Sequence, residues 1–146
     1  MSFSFKYKPV KLNTGEIVRR PIVPITLQGT KTKLDVLGFL DTGSDISIIP
    51  REIAEVLGIE FIEEGEVIGI TGNKMKVSRG KLNIIFGKER QEYQFDIPVL
   101  IPEKEGGQVI IGRFGFFEQF RITFSEVEKR ITFKKLYPRE EFKKNF

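Results

Sequence analysis

The 146-residue chain contains no cysteine and no histidine. The first absence excludes disulfides, thiolate nucleophiles and thiolate metal sites. The second excludes a Ser-His-Asp triad and imidazole metal ligands. Tryptophan is also missing, while phenylalanine occurs 14 times, so a core built on Phe and Ile is expected. No apolar run approaches the roughly 18 residues of a membrane span. The N-terminal MSFSFKYKPVK lacks the apolar stretch of a secretory leader. A cytoplasmic protein without a membrane partner is therefore expected. A carboxylate-only Mg²⁺ or Ca²⁺ site stays open, but no Asp-rich calcium loop is present, and no metal or other cofactor is expected.

What is there is a balanced composition, 40% hydrophobic and 30% charged, typical of one globular domain with a real core. The net charge is +4, but its location decides its meaning. Residues 1–20 carry five Lys or Arg and one Glu; residues 134–146 carry five and two. Everything between them is net acidic. The basic character thus belongs to the termini, and nucleic acid is an unlikely partner for the domain body.

Along the chain, Phe3, Phe5 and Tyr7 alternate as in a strand or an ordered arm. Residues 21–27 (PIVPITL) and 34–40 (LDVLGFL) read as strands around a polar turn at 28–33. Pro50 opens a helix, PREIAEVLG, which Gly58 stops. Residues 67–80 (VIGITGNKMKVSRG) read as a hairpin with its tip at 69–73. Residues 81–87 and 93–101 are further strands, and 109–112 (VIIG) is an apolar strand ending in glycine. Residues 114–120 suggest a short helix, and 121–125 with 130–134 a closing hairpin. Many short strands with regular turn signals predict an all-β, barrel-like fold with one or two short helices.

The segment with most chemical content is Phe39-Leu40-Asp41-Thr42-Gly43-Ser44-Asp45. An apolar strand runs into an acid, and Gly43, Ser44 and Asp45 favour a turn directly after it. One carboxylate is displayed where few acids belong unless they have work. Asp-Thr-Gly alone is weak, since average composition yields it in roughly 3% of chains of this size. Its flanks add weight: Ile46, Ile48 and Ile49 follow, then the Gly-tipped hairpin, then Gly112-Arg113.

These segments, in this order, resemble the retropepsins, the retroviral-type aspartic proteases. RPIVPITL (20–27) resembles the family's first strand, FLDTGSDISII (39–49) its catalytic segment, and VIIGRFGF (109–116) its closing strand and helix start. VIGITGNKMKV fits the substrate-covering flap in position and glycine content. The resemblance spans about residues 20–125 and implies a closed or partly open barrel of retropepsin type. The expected organisation is an N-terminal arm over 1–19, a protease domain over 20–136 and a basic tail over 137–146. Compact retroviral members end soon after the closing helix, whereas this chain adds RITFKK and the tail. The family's interface, often built from chain termini, is therefore not carried over.

The resemblance implies an aspartic endopeptidase. Such an enzyme needs two carboxylates at one water, and this chain has one Asp-Thr-Gly. A C₂ homodimer is implied, with one Asp41 from each subunit and an extended peptide or protein as substrate. Two like charges so close hold one proton between them. Thr42 is implied to bond across the dimer axis, and Gly43 to let backbone approach the water and peptide. Ser44 is placed to donate to the Asp41 carboxylate. Asp45 is implied to be held by Arg113 of its own chain and Arg20 of the partner. Ile68, Gly69, Ile70, Thr71 and Gly72 form the implied flap tip, and Phe39, Ile48 and Ile110 the apolar subsites. The competing readings are a catalytically silent retropepsin-like module that dimerises or binds peptides, and a scaffold-associated domain whose basic tails bind a polyanion.

Overall fold

The computed structural model describes residues 1–69 and 71–137. Ile70 of the expected flap and the tail residues 138–146 lie outside the described residues. The described residues form twelve strands and one α-helix, in three sheets.

The largest sheet closes on itself. It contains β4 (Ile22–Gln28), β5 (Lys33–Leu40), β6 (Ser47–Ile48), β8 (Lys74–Lys88), β9 (Gln91–Pro102) and β10 (Val109–Ile111). Their order is β4-β5-β10-β6-β9-β8, and β8 pairs back to β4 through Thr26–Ile85, Leu27–Ile84 and Gln28–Asn83. Six strands thus form a closed barrel, which leaves few free edges. Strand alternation sends Val23, Ile25, Leu27, Leu82, Ile84, Phe86, Ile97, Val99, Ile101 and Ile111 into the interior, where all are buried.

β7 (Glu63–Ile68) pairs only with the first part of β8, from Glu63–Arg79 to Ile68–Lys74. The expected hairpin is therefore present and begins four residues earlier than its apolar pattern suggests. The strands expected over 74–80 and 81–87 are one continuous strand. Gly80 does not mark a turn there. A Cβ on it would meet Ile59 Cγ2 at 3.0 Å and the Glu60 carbonyl at 3.2 Å, so the glycine serves a close approach within a strand.

A second sheet has the order β1 (Ser2–Lys6), β12 (Arg130–Lys135), β11 (Phe120–Ser125). Its inward side chains, among them Phe3, Phe120, Ile131 and Phe133, pack onto Phe86 of the barrel and Phe116 of the turn after β10. Its outward positions carry only Lys, Arg, Ser and Thr. The outer edge of β1 is covered: Lys88 Nζ donates to the Ser4 carbonyl at 2.9 Å and Gln91 Nε2 to the Ser2 carbonyl at 3.4 Å. Such cover hinders pairing of another strand along this edge. Burial, and then the nearby Glu126 carboxylate, push the Tyr7 phenol above its ordinary value.

The third sheet is a hairpin of β2 (Lys8–Lys11) and β3 (Ile17–Arg20), which the sequence pattern did not reveal. KPVK and IVRR are too short and too cationic to read as strands. Gly15, at φ +89°, makes the turn between them.

The helix α1 spans Arg51–Leu57, with Pro50 at its N-cap and Gly58 in the left-handed conformation at its C-cap. Its buried Ala54 and Leu57 join the core. The helix expected at 114–120 is only a 3-10 turn over Phe117–Gln119. Among the described residues no helix is long and apolar enough to cross a membrane.

Candidate active site

Asp41 follows the last residue of β5. Its backbone N–H donates to the Ile111 carbonyl at 3.0 Å, fixing the strand end against β10. β10 lies between β5 and β6, so the segment from Asp41 to Ile46 must cross the end of β10 to reach β6. Gly112 sits under that crossing. Its N–H donates to the buried Ser47 hydroxyl at 2.9 Å, and Arg113 and Phe114 donate backbone bonds to the carbonyls of Ser44 and Asp45 at 2.9 and 2.8 Å. The two segments are thereby tied backbone to backbone.

No side chain fits at position 112. A Cβ would lie 2.7 Å from the Ile46 carbonyl carbon, 2.8 Å from its oxygen and 2.9 Å from the Ser44 oxygen. All three are backbone atoms that cannot swing aside. Gly112→Ala is expected to cost about 1–3 kcal/mol by overpacking and to displace the Asp41 turn. Gly65→Ala, where nothing lies within 4 Å, is the control. Equal urea midpoints for the two variants would refute the crowding.

The Asp41 carboxylate is half-buried and held on both oxygens. Oδ1 accepts the Gly43 N–H at 2.9 Å, and Oδ2 accepts the Ser44 hydroxyl at 2.9 Å. A Cβ on Gly43 would come within 3.2 Å of Oδ1, so the glycine keeps that side of the carboxylate open. Thr42 is exposed, and its hydroxyl has no partner among the described residues. Asp45 forms an ion pair with Arg113 across the crossing. Arg20, at the end of β3, stands opposite Lys8 in the hairpin ladder and has no acidic partner among the described residues.

Phe39, Ile110 and Ile48 are brought abreast by register, Phe39 beside Ile110 and Ile110 beside Ile48. All three are half-buried and point away from the barrel interior. Sequence reasoning missed that the row continues. Ile22 pairs with Phe39 at one end and Leu100 with Ile48 at the other, giving five apolar residues on five adjacent strands. Strand alternation puts Phe39, two residues before Asp41, on the same side as the carboxylate. No signal in the sequence alone could have set this register.

The hairpin tip closes with Gly69 N–H to the Asn73 carbonyl at 3.0 Å and Gly72 N–H to the Gly69 carbonyl at 2.9 Å. Gly72 has φ +82°, which its lack of a side chain permits. Ile68, Gly69, Thr71 and Gly72 are all exposed, Ile68 by 70%. Among the described residues no hydrogen bond joins the tip to the Asp41 turn, and no group of three or more carboxylates is placed to hold a metal ion.

No protein-family model matches the chain, and no curated protein matches it. In structure it is similar to a retropepsin-like aspartic protease from Rickettsia conorii, at 13% identity and a TM-score of 0.57, over 91% of this chain and 90% of that one. It is also similar to the retroviral protease-like domain of Ddi1 from Leishmania major, at 16% identity and a TM-score of 0.53, over 84% of this chain and 98% of that one. At such identities the likeness is one of architecture alone. The chain has the fold of the retropepsin-like aspartic proteases.

Proposed function

We propose that the chain is an aspartic endopeptidase that acts as a homodimer, with its site on the two-fold axis. The observation that carries this reading is the Asp41 carboxylate, pinned by the Gly43 N–H and the Ser44 hydroxyl at the loop crossing of a retropepsin fold. One such carboxylate cannot do the chemistry alone. The neighbouring acid, Asp45, is engaged by Arg113. A second copy supplies the missing group.

In the dimer, two Asp41 carboxyls share one proton because two adjacent negative charges are costly. The ionised member takes a proton from water as the oxygen attacks the scissile carbonyl. The protonated member donates to the developing oxyanion, and a proton passes to the leaving nitrogen. Thr42, unpartnered among the described residues, bonds to its counterpart across the axis. The row from Ile22 to Leu100 offers an apolar floor for side chains beside the scissile bond. The hairpin of β7 and β8, with glycines at its tip, closes over an extended peptide and excludes water. Its exposed Ile68 is available for that contact.

Cleavage of a peptide library between about pH 3 and 7, sensitive to a hydroxyl-bearing transition-state mimic such as pepstatin, is the direct test. Turnover per chain should fall on dilution as dimers separate. A dimer that binds peptides without cutting them at any pH would leave the silent peptide-binding module as the better description.

Arg20 gives a further test of the interface. It stands beside Lys8 with no acid paired to it among the described residues, so the partner's free Asp45 oxygen is its natural complement. Arg20→Ala is expected to raise the dimer dissociation constant about tenfold or more, as loss of a hydrogen-bonded charge pair does. Sedimentation or light scattering reads this directly. An unchanged constant would remove Arg20 from the interface.

A further inference from the structure

In sequence the basic residues lie at opposite ends of the chain. The fold brings those ends together. β1 pairs with β12 over its full length, and β11 completes the sheet. Register and alternation fix what its outer face displays. Arg121 and Lys134 stand side by side in one row, and Lys6 and Arg130 in another, four residues along the strands. The remaining five outward positions are serines and threonines, and none of the nine is an acid. The Ser4–Thr132 hydroxyl contact at 2.9 Å places these side chains on one side.

Cations directly opposite one another in a ladder repel. Here two such pairs occur on one small face, and none of the four has an ion-pair partner among the described residues. The β11–β12 turn at the end of the Lys6–Arg130 row carries Glu126 and Glu128, and Glu126 is engaged by Lys129. Two copies of this face would repel each other, so it is unsuited to a self-interface.

We propose that the outer face of the β1-β12-β11 sheet binds the phosphodiester backbone of nucleic acid. The chemistry is complementary. Four cations neutralise phosphates, and four of the five hydroxyls can donate to phosphate oxygens, one of Ser4 and Thr132 already donating to the other. The two cationic rows lie about 13 Å apart at a rise of about 3.3 Å per residue, so they meet phosphates some way apart on one strand. The nine positions include no aromatic residue to stack a base and no apolar one to enter a bilayer. Binding is therefore through the backbone and indifferent to sequence. The site is independent of the proteolytic reading, since it lies on another sheet.

The test uses the full chain and a fluorescently labelled, mixed-sequence RNA strand of about 20 nucleotides, titrated by anisotropy over a series of KCl concentrations. For four phosphate contacts the logarithm of the binding constant should fall against log[KCl] with a slope of about −3, at about −0.7 per contact. Arg121→Ser with Lys134→Ser should reduce that slope by about 1.4 and weaken binding about tenfold or more at low salt. Lys33→Ser with Lys104→Ser, which removes the same charge from exposed positions elsewhere, should leave the slope unchanged. An equal loss in that control would show that net charge alone is at work and would overturn the site. So would an absence of RNA binding at low salt, or binding abolished by Arg139→Ser, Lys143→Ser and Lys144→Ser but untouched by the sheet pair. Polyglutamate or phosphatidylserine vesicles bound as tightly, with the same response to the sheet variants, would overturn the assignment to nucleic acid. The outward side chains carry no core packing, and circular dichroism of each variant checks that the fold is kept.

Discussion

Asp41→Asn is expected to lower peptide cleavage by at least about 10³-fold while leaving the dimer intact. The substitution is close to isosteric. The amide oxygen still accepts the Gly43 N–H, and the Ser44 hydroxyl can turn to accept from the amide nitrogen, so the turn at the loop crossing keeps its shape. What is lost is the capacity to take a proton from water and to carry one to the leaving nitrogen. The quaternary claim has its own readout. Adding an equal amount of Asp41→Asn chain to a fixed amount of wild type should cut activity to about half, because random pairing diverts wild-type chains into mixed dimers holding a single carboxyl. A chain that works as a monomer would show no change. Undiminished activity in the mixture would overturn the shared site, and activity retained by the pure variant would overturn the role of Asp41 itself.

Phe86→Ala is expected to cost about 3–5 kcal/mol, the usual range for truncating a fully buried aromatic side chain. Phe86 is 1% exposed and projects from β8 at the junction of barrel and second sheet. Its ring lies 4.8 Å from that of Phe133, 5.0 Å from Phe116, 5.6 Å from Phe3 and Phe120, and 5.7 Å from Phe5. These residues come from both ends of the chain. Removing the central ring leaves a cavity that rigid strands on two sides cannot close. Against a typical total of about 5–15 kcal/mol, the loss leaves a marginal domain. Urea unfolding followed by circular dichroism, at fixed protein concentration so that dimerisation does not shift the baseline, measures it. Phe86→Leu should cost distinctly less. A loss below about 1 kcal/mol for the alanine variant would mean that the neighbouring rings collapse into the space, contrary to the packing described.

The local elements were largely legible in the sequence. The alternation in β4, the apolar run into Asp41 and the Pro50–Gly58 frame of α1 each carry a physical signature that needs no tertiary information. Glycines misled where they serve proximity. Gly80 reads as a strand boundary, yet it lies inside β8 because Ile59 and Glu60 press on that spot. The β2–β3 hairpin escaped notice because Lys8 faces Arg20 and the strands have four residues each, too few for periodicity to show. At the site, the Asp-Thr-Gly segment marks Asp41 from sequence alone. The row from Ile22 through Phe39, Ile110 and Ile48 to Leu100 does not, because it depends on pairing between strands far apart in the chain. The cationic sheet face was hidden for the same reason. Charge counted along the sequence separates two ends that the fold joins.

That joining also sets the order in which the molecule can be completed. Ser4 finds its hydroxyl partner 128 residues later, at Thr132. During synthesis, at about 5–20 residues per second, β1 leaves the ribosome well before β12, the last described strand, and waits for it. Such distant pairing is slow to form, because the intervening chain must be closed before the contact is gained. Until then the Phe3 ring has no place beside Phe133, and the barrel lacks its second sheet. A nascent chain that has already exposed its Asp41 turn is therefore still an unfinished subunit, so any activity that needs two finished subunits waits on the pairing of β12.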